Sequence, residues 1–316
     1  MNEFLNLPNL LNSQENESFN GLKTEEEIEN QENIESENDL ESEQNCDIDS
    51  DETQNEVIKN YFIKTPKEIE ELSLVFGKNN EELIREFSEF KAKKLYSKLD
   101  FCLLNESEST DEFVKKCLLA SKFGFNSVSV LPTYTTIAKA NLIGKGVEVK
   151  TVIGYPFGEL TKNVRICAFK DAFKNGADCV IDVLPISAVK NRKVKLYAKT
   201  LKKILKIAGK KKVGVMLDAK RLTALEMENA VKEILSECTP YSIMPSLNFY
   251  DGILPYQIVK DLITISQGKC FVEAGGGQES PEEAVRILVS GANAFSTQNA
   301  VKIVDKLNEK ICSSQY

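Results

Sequence analysis

Short apolar runs alternate with amphipathic stretches along the C-terminal two thirds of the chain. Each of these runs is followed by apolar positions at helical spacing. The eight runs are Leu99–Leu104, Ser127–Leu131, Val147–Gly154, Cys179–Leu184, Val213–Leu217, Tyr241–Ser246, Cys270–Ala274 and Ala294–Thr297. Eight strand–helix units over about 215 residues predict a (β/α)8 TIM barrel. A doubly wound open sheet is the alternative, but no G-x-G-x-x-G follows the first strand, which disfavours its dinucleotide-binding form.

Several short motifs predict where helices begin and end. Ser109 and Glu112 have the spacing of a capping box, and Gly124 is a stop signal for the same helix. Thr161 opens another helix, and Pro281 stands at the first position of a third, with acidic residues in its first turn. These signals fall between the apolar runs, as a barrel requires.

The charge of the chain divides into two unlike parts. Residues 1–56 hold 18 acidic residues and one basic residue, whereas the remainder holds 39 basic and 30 acidic residues. The first part has too little apolar surface to fold, so we expect a disordered acidic extension over 1–56. It is either a solubilising tail or an acidic arm that folds back on the basic body or mimics a polyanion. A helical lead-in over 57–96 and the barrel over 97–312 complete the predicted organisation.

Composition excludes several classes of protein. No apolar run approaches the roughly 18 residues of a membrane span, and the first ten residues lack the features of a secretory signal, so we expect a cytoplasmic protein with no membrane partner. The eight cysteines form no C-x-x-C pair, which indicates reduced thiols. Histidine is absent, which excludes Ser-His-Asp and Cys-His hydrolases and His-ligated zinc enzymes.

The basic body does not by itself indicate a nucleic-acid partner. Its lysines fall on helix faces, and no basic stripe is interleaved with aromatic residues. We therefore expect no nucleic acid, and we expect neither a metal nor a cofactor.

Candidate chemistry lies where the predicted strands end, because barrel enzymes place their sites there. Asp182 stands inside an apolar run, where a carboxylate is costly unless it is paired, so it is either functional or the partner of a nearby lysine. The glycine triplet Gly275–Gly277 follows the seventh strand, where backbone N–H groups commonly hold a phosphate. A plain tight turn before Pro281 is the simpler interpretation of the triplet.

Several of these segments resemble deoxyribose-phosphate aldolases. The resemblance rests on TVIGYPFG at 151–158 and KDAFKNGADCVIDV at 170–183, and also on LDFCLL at 99–104, SVSVLP at 127–132 and the turn at 274–277. It covers roughly residues 97–305 in unbroken order.

The resemblance implies a metal-free (β/α)8 enzyme that cleaves 2-deoxyribose 5-phosphate to glyceraldehyde 3-phosphate and acetaldehyde, or runs the reverse. In that family a lysine on strand six forms a Schiff base, a lysine on strand seven lowers the pKa of the first, and an aspartate on strand four moves protons. A neighbouring cation does make an amine less protonated and more nucleophilic. Members are often dimers, so the resemblance also implies a homodimer.

The family residues carry over only in part. The strand-four and strand-one aspartates match Asp182 and Asp100, but the strand-six lysine falls at Met244 and the strand-seven lysine at Glu273. Methionine cannot form an imine, and glutamate would raise the pKa of a neighbouring amine.

The implied phosphate site is altered as well, at the mouth where a small phosphorylated ligand would bind. The loop keeps Gly276 and Gly277, and Ser246 ends the sixth strand. The paired serines expected after strand eight fall at Gln298 and Asn299. The basic residue expected after the glycines falls at Glu279, which would repel phosphate.

Two functions remain open. The first is a non-catalytic homologue that serves as a binding or regulatory module. The second is a class I aldolase with a relocated lysine, either Lys220 just beyond strand five or Lys150 in strand three. Lys150 has the parity of Val152; if that face points inward, its simplest role is an ion pair with Asp182 or Glu273.

Removal of residues 1–56 tests the predicted extension. Because this segment lacks apolar periodicity, we expect the thermal unfolding transition of the remaining chain to be nearly unchanged. Differential scanning calorimetry of the full chain and of residues 57–316 measures it. A melting temperature lowered by more than about 5 °C, equivalent to roughly 1–2 kcal/mol, would show that the segment contributes to the folded body.

Overall fold

The computed structural model describes residues 89–104, 109–246, 254–278 and 280–313. The predicted acidic extension and most of the predicted helical lead-in lie outside these residues, as does Glu279. Only the end of the lead-in is described, as helix α1 (Glu89–Tyr96).

Eight parallel strands form a closed barrel in which each strand pairs with its neighbours in chain order and β8 closes on β1. The predicted (β/α)8 fold is therefore confirmed, and each predicted strand end lies within one residue of the observed one. The strands are β1 (Leu99–Leu103), β2 (Ser127–Val130), β3 (Glu148–Ile153), β4 (Cys179–Val183), β5 (Lys212–Asp218), β6 (Ser242–Ser246), β7 (Phe271–Gly275) and β8 (Ala294–Thr297).

Helices follow the strands and cover the outside of the barrel. A 3-10 turn at Pro132–Tyr134 precedes the helix after β2, and two helices follow β4. The helices are α2 (Thr110–Phe123), α3 (Thr135–Leu142), α4 (Lys162–Lys174), α5 (Ile186–Lys190), α6 (Val194–Ala208), α7 (Ala224–Glu237), α8 (Tyr256–Ser266), α9 (Pro281–Val289) and α10 (Ala300–Ser313).

The helix boundaries agree with the local signals. Ser109 and Glu112 form the predicted capping box of α2, which Gly124 ends with a left-handed φ of 70°. Thr161 precedes α4, and Pro281 opens α9 behind a capping box that begins at Ser280. Such caps satisfy backbone N–H groups that the helix itself leaves free.

The core has two parts, because alternate side chains of each strand point into and out of the barrel. The larger part lies between strands and helices, where Val180, Val215 and Ile243 pack with helix residues such as Phe169 and Leu201. The smaller part fills the barrel itself and contains Leu104, Val152, Cys179, Ile181, Val183, Met216 and Met244. Membership of these two clusters therefore shows which way each strand position faces.

A buried arginine fastens the loop after β3 to β4. Arg165 of α4 donates to the carboxylate of Asp182, to the carbonyl oxygen of Gly158, and at 3.3 Å to the carbonyl oxygen of Val183. The hydroxyl of Tyr197 in α6 donates to the same carboxylate at 3.0 Å. The cluster thus joins two helices, a strand and a loop at the mouth of the barrel.

Gly158 should be indispensable for this junction. It has a φ of 76°, and a Cβ there would stand against the carbonyl oxygen of Val183, closer than real Cβ atoms approach. Gly144 has a similar φ of 73° with no atom near the Cβ position, so Gly144→Ala measures the conformational cost alone. We expect Gly158→Ala to lower the free energy of unfolding by about 2 kcal/mol more than Gly144→Ala in urea titrations. Equal losses would contradict the close packing.

Candidate functional site

An ion pair crosses the interior of the barrel. The Nζ of Lys150, on β3, lies 2.5 Å from Oε2 of Glu273, on β7, and 4.0 Å from Oδ1 of Asp100, on β1. Because β3 and β7 are four strands apart in a ring of eight, the lysine side chain spans the barrel from one wall to the other. Both members of the pair are buried.

Serine hydroxyls surround Asp100 on its other sides. Ser127 donates to Oδ1 at 2.5 Å, while Ser129 and Ser296 donate to Oδ2 at 2.7 Å and 2.6 Å. A carboxylate that accepts several hydrogen bonds can stay ionised in the interior. Lys150, Glu273 and Asp100 together form what we call the charged layer. The serine hydroxyls replace the hydration that Asp100 loses in the interior.

The charges in this layer determine the protonation of the lysine. Burial alone would lower the pKa of Lys150, but the carboxylates of Glu273 and Asp100 raise it above the ordinary value for lysine. Burial raises the pKa of the nearby Cys102 thiol to about 12. Neither side chain is a nucleophile at neutral pH, because only the neutral amine and the thiolate are reactive.

An apolar layer follows the charged layer towards the C-terminal ends of the strands. Met244 is 1% exposed and packs with Val152, Ile181 and Met216 inside the barrel. The register pairs Ile243 with Val272, so Met244 and Glu273 are neighbours on adjacent strands. Methionine has no amine group, so no imine can form at position 244. Apolar side chains fill the space around it.

Asp182 does not belong to the barrel interior, which corrects the prediction that it corresponds to the proton-moving aspartate of strand four. Its neighbours Ile181 and Val183 point inward, so Asp182 faces the helices. The predicted cation is present within ion-pair distance, but it is Arg165 rather than Lys150. Burial raises the pKa of Asp182 to about 6, while Arg165 and Tyr197 act in the opposite direction.

Lys220 lies at the mouth of the barrel but does not enter it. Its side chain is exposed, and its backbone N–H donates to Oδ1 of the buried Asp218 at 3.0 Å. The N–H of Arg221 donates to the same oxygen at 3.1 Å, and its guanidinium carbon lies 4.4 Å from the centre of the Phe157 ring. Asp218 and Arg221 thus stand with Lys220 at the end of β5, where barrels place functional side chains.

The loops after β7 and β8 lie together at the mouth of the barrel. The side-chain amide of Asn299 donates to the carbonyl oxygen of Gly277 at 3.4 Å, and the N–H of Gly276 donates to the carbonyl oxygen of Ser296 at 3.1 Å. Gln298 is exposed beside Asn299. Ser246 stands near Gly275, since a Cβ on that glycine would lie 2.8 Å from its Oγ.

Gln278 also belongs to this loop and was missed by the sequence analysis. Its side chain is fully buried, and neither carboxamide atom has a hydrogen-bond partner among the described residues. A Cβ on Gly276 would lie 3.1 Å from Nε2 of Gln278 and 3.1 Å from Cβ of Leu254. A glutamine after three glycines has no sequence signature, so only the fold reveals its position.

A closed eight-stranded barrel with an aspartate on β1 and a glycine loop after β7 has clear relatives. A deoxyribose-phosphate aldolase from Streptococcus suis is 31% identical over 216 residues, which cover 67% of this chain and 96% of the relative. The chain belongs to the deoxyribose-phosphate aldolase family. No family model matches it.

Solved structures agree with this membership. A structure described as QR15, an aldolase, is 25% identical to this chain, with a TM-score of 0.64. The match covers 69% of this chain and 98% of the other. The tetrameric deoxyribose phosphate aldolase from Aeropyrum pernix is 21% identical and shares the fold, with a TM-score of 0.61. That match covers 77% of this chain and 98% of the aldolase chain.

In the part of the chain that the structure describes, no helix is long and apolar enough to span a membrane. Among the same residues, no three acidic or cysteine side chains are grouped so that they could hold a metal ion.

The ion pair across the barrel should show strong energetic coupling. Lys150→Met or Glu273→Leu alone leaves a buried charge without its partner, which costs about 3–5 kcal/mol. The double substitution removes both charges, so we expect it to cost at least 1–2 kcal/mol less than the sum of the single losses, roughly the coupling seen for interacting buried groups. Urea titrations of the four proteins measure this coupling energy.

The exposed pair of Lys232 and Glu228 on α7 provides a matched control. Its atoms are 2.6 Å apart, but the side chains are 60% and 39% exposed. The same cycle there, with substitution to alanine, should give a coupling energy below about 0.5 kcal/mol. An additive result at Lys150 and Glu273 would contradict the interior ion pair.

Proposed function

We propose that this member of the deoxyribose-phosphate aldolase family has lost Schiff-base chemistry and acts as a binding or regulatory module. The resemblance aligns the two family lysines with Met244 and Glu273. One observation carries the proposal. Lys150 is the only buried lysine of the described residues, and Glu273 holds its ammonium group at 2.5 Å. A protonated amine cannot attack a carbonyl group.

The surroundings of position 244 support the same conclusion. The inward residues of β4 are Cys179, Ile181 and Val183, so strand four contributes no carboxylate to the interior that could move protons. Val152 and Met216 pack against the methionine, and dense packing leaves little room for a substrate without rearrangement. Three differences therefore all oppose Schiff-base chemistry. Met244 replaces the amine, Glu273 replaces the neighbouring cation, and Ile181 occupies the inward position where an acid would move protons.

The mouth of the barrel retains features of a ligand site. Gly277 accepts a hydrogen bond from Asn299, and in the same loop the carboxamide of Gln278 has no hydrogen-bond partner within the described ranges. The module we propose binds a small phosphorylated ligand at this mouth. Differential scanning fluorimetry with 2-deoxyribose 5-phosphate and with inorganic phosphate tests binding separately from catalysis.

The alternative is an active aldolase with a relocated lysine, and borohydride trapping distinguishes the two. With 2-deoxyribose 5-phosphate and sodium borohydride we expect no labelled lysine in the natural protein and no measurable release of acetaldehyde. Peptide mass spectrometry identifies any label. Cleavage activity that is abolished by Lys220→Ala or Lys150→Ala would overturn the proposal.

Restoring the family lysines provides the positive control. Met244→Lys alone should do little, because Glu273 favours the protonated amine. Adding Glu273→Lys places a new cation against Lys150, so the restored protein also needs Lys150→Ala. We expect trapping at position 244 in this triple variant. The matched control carries Glu273→Lys and Lys150→Ala but keeps Met244, and it should remain unlabelled.

A further inference from the structure

One continuous segment accounts for the positive charge of the barrel. Residues 190–212 contain 11 basic residues and no acidic residue, whereas the rest of residues 57–316 contains 28 basic and 30 acidic residues. The segment runs from the end of α5 through all of α6 to Lys212, the first residue of β5. The positive charge is thus concentrated on α6 and the residues next to it.

Five of its lysines form a surface that has no carboxylate partner among the described residues. Lys199, Lys202, Lys203 and Lys206 on α6 and Lys210 after it are all exposed, and none makes an ion pair within the described part of the chain. Their spacing of three or four residues places them on one side of the helix. We call these five residues the lysine face. Like charges held so close together are unfavourable unless something neutralises them.

Apolar side chains flank the lysine face. Leu196 and Ile207 are each 48% exposed, and their separation of three helical turns puts them on the same flank. Lys195 pairs with Glu237 at 3.6 Å, and the thiol of Cys238 donates to the carbonyl oxygen of Ala198 at 3.7 Å, so α7 covers the opposite flank. Leu196 and Ile207 therefore face away from α7.

We propose that the lysine face, with Leu196 and Ile207, is a docking surface for an acidic polypeptide segment of a partner protein. Carboxylates of that segment would neutralise the lysines, and apolar side chains spaced among them would cover the leucine and the isoleucine. Charge complementarity of this kind increases the association rate and selects partners. The apolar contacts would fix the position of the segment on the helix.

The chemistry of the surface favours a polypeptide over other anions. Recognition of single-stranded nucleic acid uses exposed aromatic side chains for stacking, but Tyr197, the aromatic residue of α6, is buried and donates to Asp182. Insertion into a membrane surface requires apolar side chains on the outermost face of the helix, whereas here lysines occupy that face. The inference does not depend on the loss of Schiff-base chemistry, since the surface lies outside the barrel.

Fluorescence anisotropy with the full chain tests the proposal. The probe is a labelled peptide of glutamates with one leucine on every helical turn, and a second peptide has serine in place of leucine. We expect Lys199→Glu/Lys203→Glu/Lys206→Glu to weaken binding of the first peptide at least about ten-fold, as expected when charge complementarity is reversed. The control Lys115→Glu/Lys145→Glu/Lys269→Glu reverses three exposed lysines elsewhere and should weaken it far less.

The apolar flank has its own readout. Leu196→Ser/Ile207→Ser should reduce the advantage of the leucine peptide over the serine peptide. Circular dichroism confirms that each variant is folded. Equal loss of binding in the two charge-reversal variants would overturn the proposal. So would tighter binding of a single-stranded RNA of similar length, or of phosphatidylserine vesicles, than of the leucine peptide.

Discussion

The ion pair between Lys150 and Glu273 is the constraint on which the interior of this barrel depends. Two buried charges lose several kcal/mol of hydration each, and only a short, well-surrounded contact compensates for that loss. The 2.5 Å contact and the three serine hydroxyls on Asp100 provide these surroundings. Replacing one partner alone would leave the other as an unpaired buried charge. The contact between β3 and β7 therefore constrains the residues at both positions, Lys150 and Glu273.

The rest of the interior is consistent with that fixed pair. Glu273 is next to Met244, and both Lys150 and Glu273 lie below a layer of apolar side chains. A lysine at position 244 would lie beside Glu273, which already forms an ion pair with Lys150. Under the function we propose, the ion pair, the methionine and Ile181 form a connected set that replaces the reactive centre of the family with a packed core.

The sequence predicted the strands well and their faces less well. Strand ends were accurate to one residue because the apolar runs are short and are separated by clear helix signals such as Ser109 and Gly124. The runs are apolar on both faces, since a parallel barrel buries both, so alternation does not show direction. The sequence therefore does not show that Asp182 faces Arg165, a residue of α4 that gives no signal of this contact. Lys150 has the parity of Val152, which only the structure shows to face inward, and of its two expected partners Glu273 is the observed one.

The most direct test of this account is the charge state of Lys150. Heteronuclear NMR of the full chain labelled with 15N-lysine can resolve the buried Nζ, and Lys150→Met assigns its signal. We expect an ammonium signal, protected from exchange with water, that stays protonated from neutral pH to beyond pH 10, about the ordinary pKa of lysine. A neutral amine, or titration of Lys150 near pH 7, would contradict the ion pair and restore this lysine as a candidate nucleophile.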